Sequence, residues 1–288
     1  MQSSRPPSAV LLADFSTWTG KRYKPSSLKV YGAILGKLEA LALDRGEDLQ
    51  GASRESLSQF LAGRNPNTAK RYAWFLDDFY DHLQQRGVIT ESPAFGFRAL
   101  FSYPEVPAQT TGFSAEEEEA AFLAALPEPS NWKHARDAGL LALSLGTGIK
   151  LNEVLALKLS DIYLDQDIPS VLVRHRHSTR EVPIRRDALP YVQRWACERE
   201  VHFRADVLEA FPATTRGGAL SPSTVWRQAK KVLARAGVEH LTHFGASALR
   251  VSYARIEDAE GSRLPILQHR LGHKRESSTI AILKTERR

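Results

Sequence analysis

Several basic side chains in this chain stand at spacings that suit the grip of phosphate. Lys70 and Arg71 follow Asn67-Thr68-Ala69 at the start of an amphipathic stretch. There, free backbone N–H groups and the helix dipole favour an anion. Arg227, Lys230 and Lys231 fall at i, i+3 and i+4, on one face of one helix. Lys21-Arg22-Tyr23-Lys24 makes a further basic loop. A solvated basic face has the same pattern, so spacing alone nominates these positions and does not assign them. Taken alone, a histidine such as His273 is more often structural. Lys150 and Glu153 form an i,i+3 pair in which the acid can orient the base.

Two segments carry a sharper pattern. One reads Gly146-Thr147-Gly148-Ile149-Lys150-Leu151-Asn152-Glu153-Val154-Leu155. The other reads Ala248-Leu249-Arg250-Val251-Ser252-Tyr253-Ala254, followed by Gly261, Gln268 and Leu271-Gly272-His273. Together they resemble the catalytic domain of the tyrosine recombinase (phage integrase) family. That family's pattern runs T-G-L-R-x-x-E-L, then H-x-L-R-H, then L-G-H with a tyrosine nine residues on. The resemblance covers most of the chain, closely in its second part and loosely in its first. It implies a site for DNA strand transfer. Two guanidiniums hold the non-bridging oxygens, a general acid protonates the leaving 5′ oxygen, and a hydroxyl attacks phosphorus.

Several positions depart from that pattern. Lys150 replaces the first arginine and loses its fork. The hairpin stretch that carries the family's lysine reads Arg174-His175-Arg176-His177. Arginine is too basic to serve as a general acid near neutral pH. Ser247 replaces the first histidine, with His243 nearby. Ile282 stands at the nucleophile, and Tyr253 is the last tyrosine. Arg250 and His273 remain, and the resemblance implies that the planar fork of Arg250 holds a phosphate and that His273 donates to a phosphate oxygen.

The expectation is therefore a pseudo-enzyme with no catalytic residue, its degenerate positions being Lys150, Glu153, His175, Ser247, Arg250, His273 and Ile282. It would bind double-stranded DNA without cutting it. Its role would be that of an accessory or regulatory factor in recombination or integration of a mobile element, beside an active recombinase or another mobile-element protein. The candidate DNA contacts are Lys150, Arg250, His273, Arg174, Arg176, Lys70, Arg71, Arg227, Lys230, Lys231, Lys21, Arg22 and Lys24. Two rival readings stand beside it. One is an active recombinase with an unusual nucleophile or one supplied by another subunit. The other is a transcription or replication regulator built on the same fold.

The elements that must position these residues are mainly helices. Residues 1–92 read as a helical core-binding domain. Residues 93–112, with Pro93, Pro104, Pro107 and Gly112, read as a linker. Residues 113–288 read as an integrase-like domain, mainly α with a small β-hairpin or sheet. Within it, helices are expected at Asn131–Leu145, Lys150–Leu159, from Asp187, Ser221–Ala236 and Ser247–Glu260. Val171–Arg174 and Arg180–Ile184 should form the hairpin. The net charge of +6 over 288 residues suits an acidic polymer. One cysteine, Cys197, excludes a disulfide framework and is expected to pack in a helix. No metal or cofactor is implied. No apolar run is long enough to span a membrane, and the chain reads as a cytoplasmic, nucleoid-associated monomer.

Overall fold

The structure is a computed structural model that describes residues 8–18, 25–101, 112–113, 116–175, 178–241 and 245–283. The chain divides into two compact units between Pro107 and Ala108.

The first unit holds α1 (Ser8–Trp18), α2 (Pro25–Leu43), α3 (Arg54–Leu61), α4 (Pro66–Gln85) and the short α5 (Phe97–Leu100). Asn65 starts α4: its side chain accepts the Asn67 N–H, and Pro66 sits in the first turn, where no donor is needed. The helix buries Ala73, Leu76, Tyr80 and Leu83, a stripe of helical period. That stripe meets Phe15, Leu35, Leu38 and Leu57 in one core. Buried Tyr80 donates from its hydroxyl to the Leu49 carbonyl at 2.7 Å. Residues 93–101, expected in the linker, belong to this unit. Ala94 and Phe97 are buried in its core and α5 packs on α4.

The second unit holds α6 (Glu116–Ala124), α7 (Trp132–Thr147), α8 (Leu151–Val154), α9 (Leu189–His202), α10 (Pro222–Arg235), α11 (Ala246–Ala259), α12 (Leu264–Leu271) and α13 (Glu276–Leu283). Strands β1 (Ile162–Tyr163), β2 (Ser170–His175) and β3 (Ser178–Pro183) form an antiparallel sheet in that order. Strands β4 (Pro212–Thr214) and β5 (Gly217–Ala219) pair separately. Helix α7 is buried from Ala135 to Thr147 and packs against both α9 and α11. Its charged residues there are paired internally: Arg136 bonds Asp137 at 2.7 Å and the Pro212 carbonyl at 2.9 Å.

Three expectations need correction here. The helix expected over Lys150–Leu159 stops at Val154. Beyond it the backbone takes long-range partners instead, Leu159 N–H to Leu208 O and Ala210 N–H to Leu157 O, both 2.9 Å. Cys197 is exposed on α9 and does not pack. Strands β1, β4 and β5 went unforeseen because two or three residues carry no readable period. The hairpin is present, with Val171 opposite Val182 and Val173 opposite Arg180.

Candidate active site

Helix α7 ends at Gly148, which turns the chain in the left-handed region at φ 60°. The Gly148 carbonyl accepts from Arg250 Nη1 at 2.6 Å. Arg250 Nη2 donates to the Leu271 carbonyl at 2.7 Å and meets His273 Nε2 at 2.9 Å. One guanidinium thus ties the end of α7, the end of α12 and the Leu-Gly-His turn to α11.

The tautomer of His273 follows from these bonds. Arg250 has donors only, so Nε2 accepts. The ring proton then sits on Nδ1 and is donated to Thr279 Oγ1 at 2.9 Å. Burial, then the Arg250, Lys150 and Arg180 charges, push the His273 pKa down to about 4. Burial also brings Arg250 down to about 10. Burial and the surrounding cations together make His273 resist a further proton.

Glu153 behaves differently from the orienting partner expected. Its Oε2 accepts the backbone N–H of Lys150 at 2.8 Å, capping α8 rather than holding the lysine side chain. Both of its oxygens are gripped by Arg180, at 3.1 Å from Nη1 and 2.8 Å from Nη2. Burial works against this carboxylate, but the Arg180 bonds and the Lys150 N–H outweigh it and hold it below its ordinary pKa. Arg180 Nε also donates to the Arg270 carbonyl at 3.0 Å. The sequence reading placed Arg180 in a strand and gave it no role. The available signal was its register: it pairs with Val173 in β2, and both point inward.

Lys150 is exposed at the mouth of α8. Ser247 is exposed in the first turn of α11, one turn before Arg250. Ile282 packs on α13 against Tyr253, Ala254, Leu267 and Leu271. Arg174, exposed on β2, pairs with Asp161 at 3.0 Å. The His175 side chain and all of Arg176, His177, His243, Lys21, Arg22 and Lys24 lie outside the described residues.

The basic helix faces are real surfaces. Helix α10 buries Val225, Ala229, Val232 and Leu233, which turns Arg227, Lys230 and Lys231 outward. Lys230 Nζ sits 5.5 Å from the centroid of exposed Trp226. In the first unit Lys70 Nζ lies 5.4 Å from the centroid of exposed Trp74.

The profile of the Phage integrase family matches residues 113–284. The tyrosine recombinase XerC of Alcanivorax borkumensis is 27% identical over 212 residues, which cover 73% of this chain and 66% of that protein. The tyrosine recombinase XerC of Brucella suis is 28% identical over 265 residues, 91% of this chain and 77% of its own length. Among solved structures, the XerH site-specific recombinase bound to difH substrate in a pre-cleavage complex aligns with a TM-score of 0.69. It is 21% identical and covers 96% of this chain and 81% of that one. The expectation of a pseudo-enzyme is overturned by the sequence relatives, which bear the names of tyrosine recombinases, a family of enzymes. With a profile match spanning the whole pocket, from the Gly148 turn to Ile282, the chain belongs to the phage integrase family.

Proposed function

We propose that this chain is a site-specific recombinase of duplex DNA that holds the scissile phosphate at Arg250 and His273 and receives its nucleophilic hydroxyl from another subunit. The observation that carries this reading is the intact Arg250–His273 pair beside an apolar Ile282. Arg250 meets carbonyls and an imidazole nitrogen, all neutral acceptors. An arriving phosphate offers charged acceptors in their place, and such bonds are roughly twice as strong. The charge of the anion offsets the cations that hold the His273 pKa low, so His273 takes a proton from water at Nε2 and turns from acceptor to donor. Lys150, exposed at the rim, adds charge from the remaining side.

The buried hydroxyls of Thr279 and Tyr253 do not fit the attack. Thr279 is fully buried and closed on His273. Tyr253 is buried, its pKa pushed up to about 12 by burial and by Glu257. Its ring lies against Gly148, and its charged neighbours are Glu257, Arg270 and Arg185. The named likeness to recombinases, one solved on its substrate, supports DNA as the polymer. The faces of α4 with Lys70 and Arg71, and of α10 with Arg227, Lys230 and Lys231, serve as backbone contacts.

The test is a mixing experiment on a nicked duplex that carries the site recovered by footprinting this protein. The chain is incubated alone and with a tyrosine-bearing recombinase from the same cell. A denaturant-resistant adduct on the partner, lost with Arg250→Ala of this chain, is expected. An adduct mapped to this chain alone would place the nucleophile in cis. No adduct in any mixture would end the strand-transfer reading.

A further inference from the structure

We infer that Arg180 is a positioning residue of the phosphate pocket: it neutralises Glu153 from β3, and so leaves Arg250 free to turn from its backbone anchors to a phosphate. The inference rests on the function proposed above for that pocket.

Glu153 and Arg180 each have a side chain 7% exposed. A carboxylate so buried demands a counter-charge, and breaking such a pair strands the remaining ion. Arg180 and the Lys150 N–H occupy both Glu153 oxygens. Glu153 is near enough to Arg250 for its charge to act on that guanidinium. Yet the hydrogen bonds of Arg250 go to two carbonyls and His273. The division is clear: one guanidinium is spent on the carboxylate and the other keeps its charge available. Without Arg180, the cations left within reach of the Glu153 charge are Lys150, exposed at the rim, and Arg250, and a guanidinium drawn onto a carboxylate is lost to phosphate.

The seat of Arg180 is built for it. Its Cζ lies over Gly272, where an added Cβ would come within 2.7 Å. Its Nε holds the Arg270 carbonyl, just before the turn that carries His273. The same bonds also staple a strand to a helix, so the test must separate neutralisation from stapling.

The assay is duplex DNA binding by fluorescence anisotropy, read beside the His273 ring signals in NMR across pH. Arg180→Gln should weaken binding on the order of tenfold, the worth of one charge-assisted bond. It should also move the His273 titration up from about 4, since a cation is lost and a carboxylate is bared. Arg180→Gln with Glu153→Gln removes the diverting carboxylate and should return affinity to within about threefold of the parent. A pure staple predicts no such rescue, and its absence overturns the inference. An unchanged Arg180→Gln overturns it too. If Arg180→Gln does not fold, Glu153→Gln decides: it leaves Arg180 a neutral partner and should tighten binding, and equal or weaker binding refutes neutralisation. Should the parent bind no duplex, the DNA reading falls by itself. The same variants are then compared by the shift of the His273 signals with inorganic phosphate.

Discussion

Replacing Gly148 with alanine puts a methyl group where the Tyr253 ring already lies. The new Cβ would stand 2.2 Å from Tyr253 Cδ1 and 2.6 Å from Cγ. Carbon atoms rest at about 3.5–4.0 Å, so ring or backbone must move by more than an ångström. Tyr253 is 0% exposed and wedged on α11, so it has little room to retreat. Two costs add. The φ of 60° is left-handed, which costs an L-residue about 1–2 kcal/mol. Overpacking a tight core adds about 1–3 kcal/mol. The total is about 2–5 kcal/mol, a large share of an ordinary domain's stability. Gly261→Ala is the matched control. Its φ is 85° but its Cβ would meet nothing within 4 Å, so it should cost only the backbone part, about 1–2 kcal/mol. Urea unfolding of the two variants, with the slope checked for constancy, measures the difference. Equal costs would refute the argument that Gly148 is required by contact with Tyr253 and not by its turn alone. Because the Gly148 carbonyl anchors Arg250, the same variant should also weaken duplex binding, whereas Gly261→Ala should not.

Three further outcomes follow from other parts of the fold. Trp195, buried in the second unit, donates from Nε1 to the Ala210 carbonyl at 2.9 Å, so Trp195→Phe should destabilise by about 1–3 kcal/mol in denaturant melts by stranding that acceptor. His273 has a folded pKa near 4, below its unfolded value of about 6.5. The unfolded chain therefore binds more protons between those values, and stability should fall with pH from about 6.5 to 4; His273→Gln should flatten this part of a pH–stability curve. Removing Arg227 and Lys231 together should lower the magnitude of the slope of log affinity against log salt by about two, as two phosphate contacts disappear, while Glu118→Ala should leave it unchanged.

The helices of both units were readable where an apolar stripe repeats, as in α4, α10 and α11. Helices α4 and α10 are each followed by a glycine at positive φ, Gly87 and Gly237, which suits a helix stop. What the sequence hid was set by long-range partners. Lys150 to Leu159 looks helical in isolation, yet Leu157 and Leu159 are hydrogen-bonded to Ala210 and Leu208, some fifty residues on. Glu153 looked like the neighbour of Lys150, because spacing of three suggests a pair. Its true partner, Arg180, is 27 residues away in sequence and lies in a strand. Periodicity reports which face is buried but not what meets it. Arg250, His273 and Ile282 were found by motif spacing, and the structure gathers the first two around one pocket. The exposed position of Cys197 on α9 had no local signal at all.

The two glycine turns of the motif share one logic. Each glycine is the seat of a side chain from another element: Tyr253 of α11 lies against Gly148, and Arg180 of β3 lies against Gly272. Both turns have positive φ, 60° and 65°, and both adjoin carbonyls that Arg250 holds, those of Gly148 and Leu271. A side chain at either glycine would push away the element that packs there. It would also shift a carbonyl that aims the Arg250 guanidinium. The pocket is therefore not a set of loops carrying reactive groups. It is a junction of α7, β3, α11 and α12 in which close packing determines where Arg250 points. On this account a substitution at Gly148 or Gly272 disturbs Arg250 through its anchors, while one at Ser247, exposed and a turn away, leaves those anchors in place.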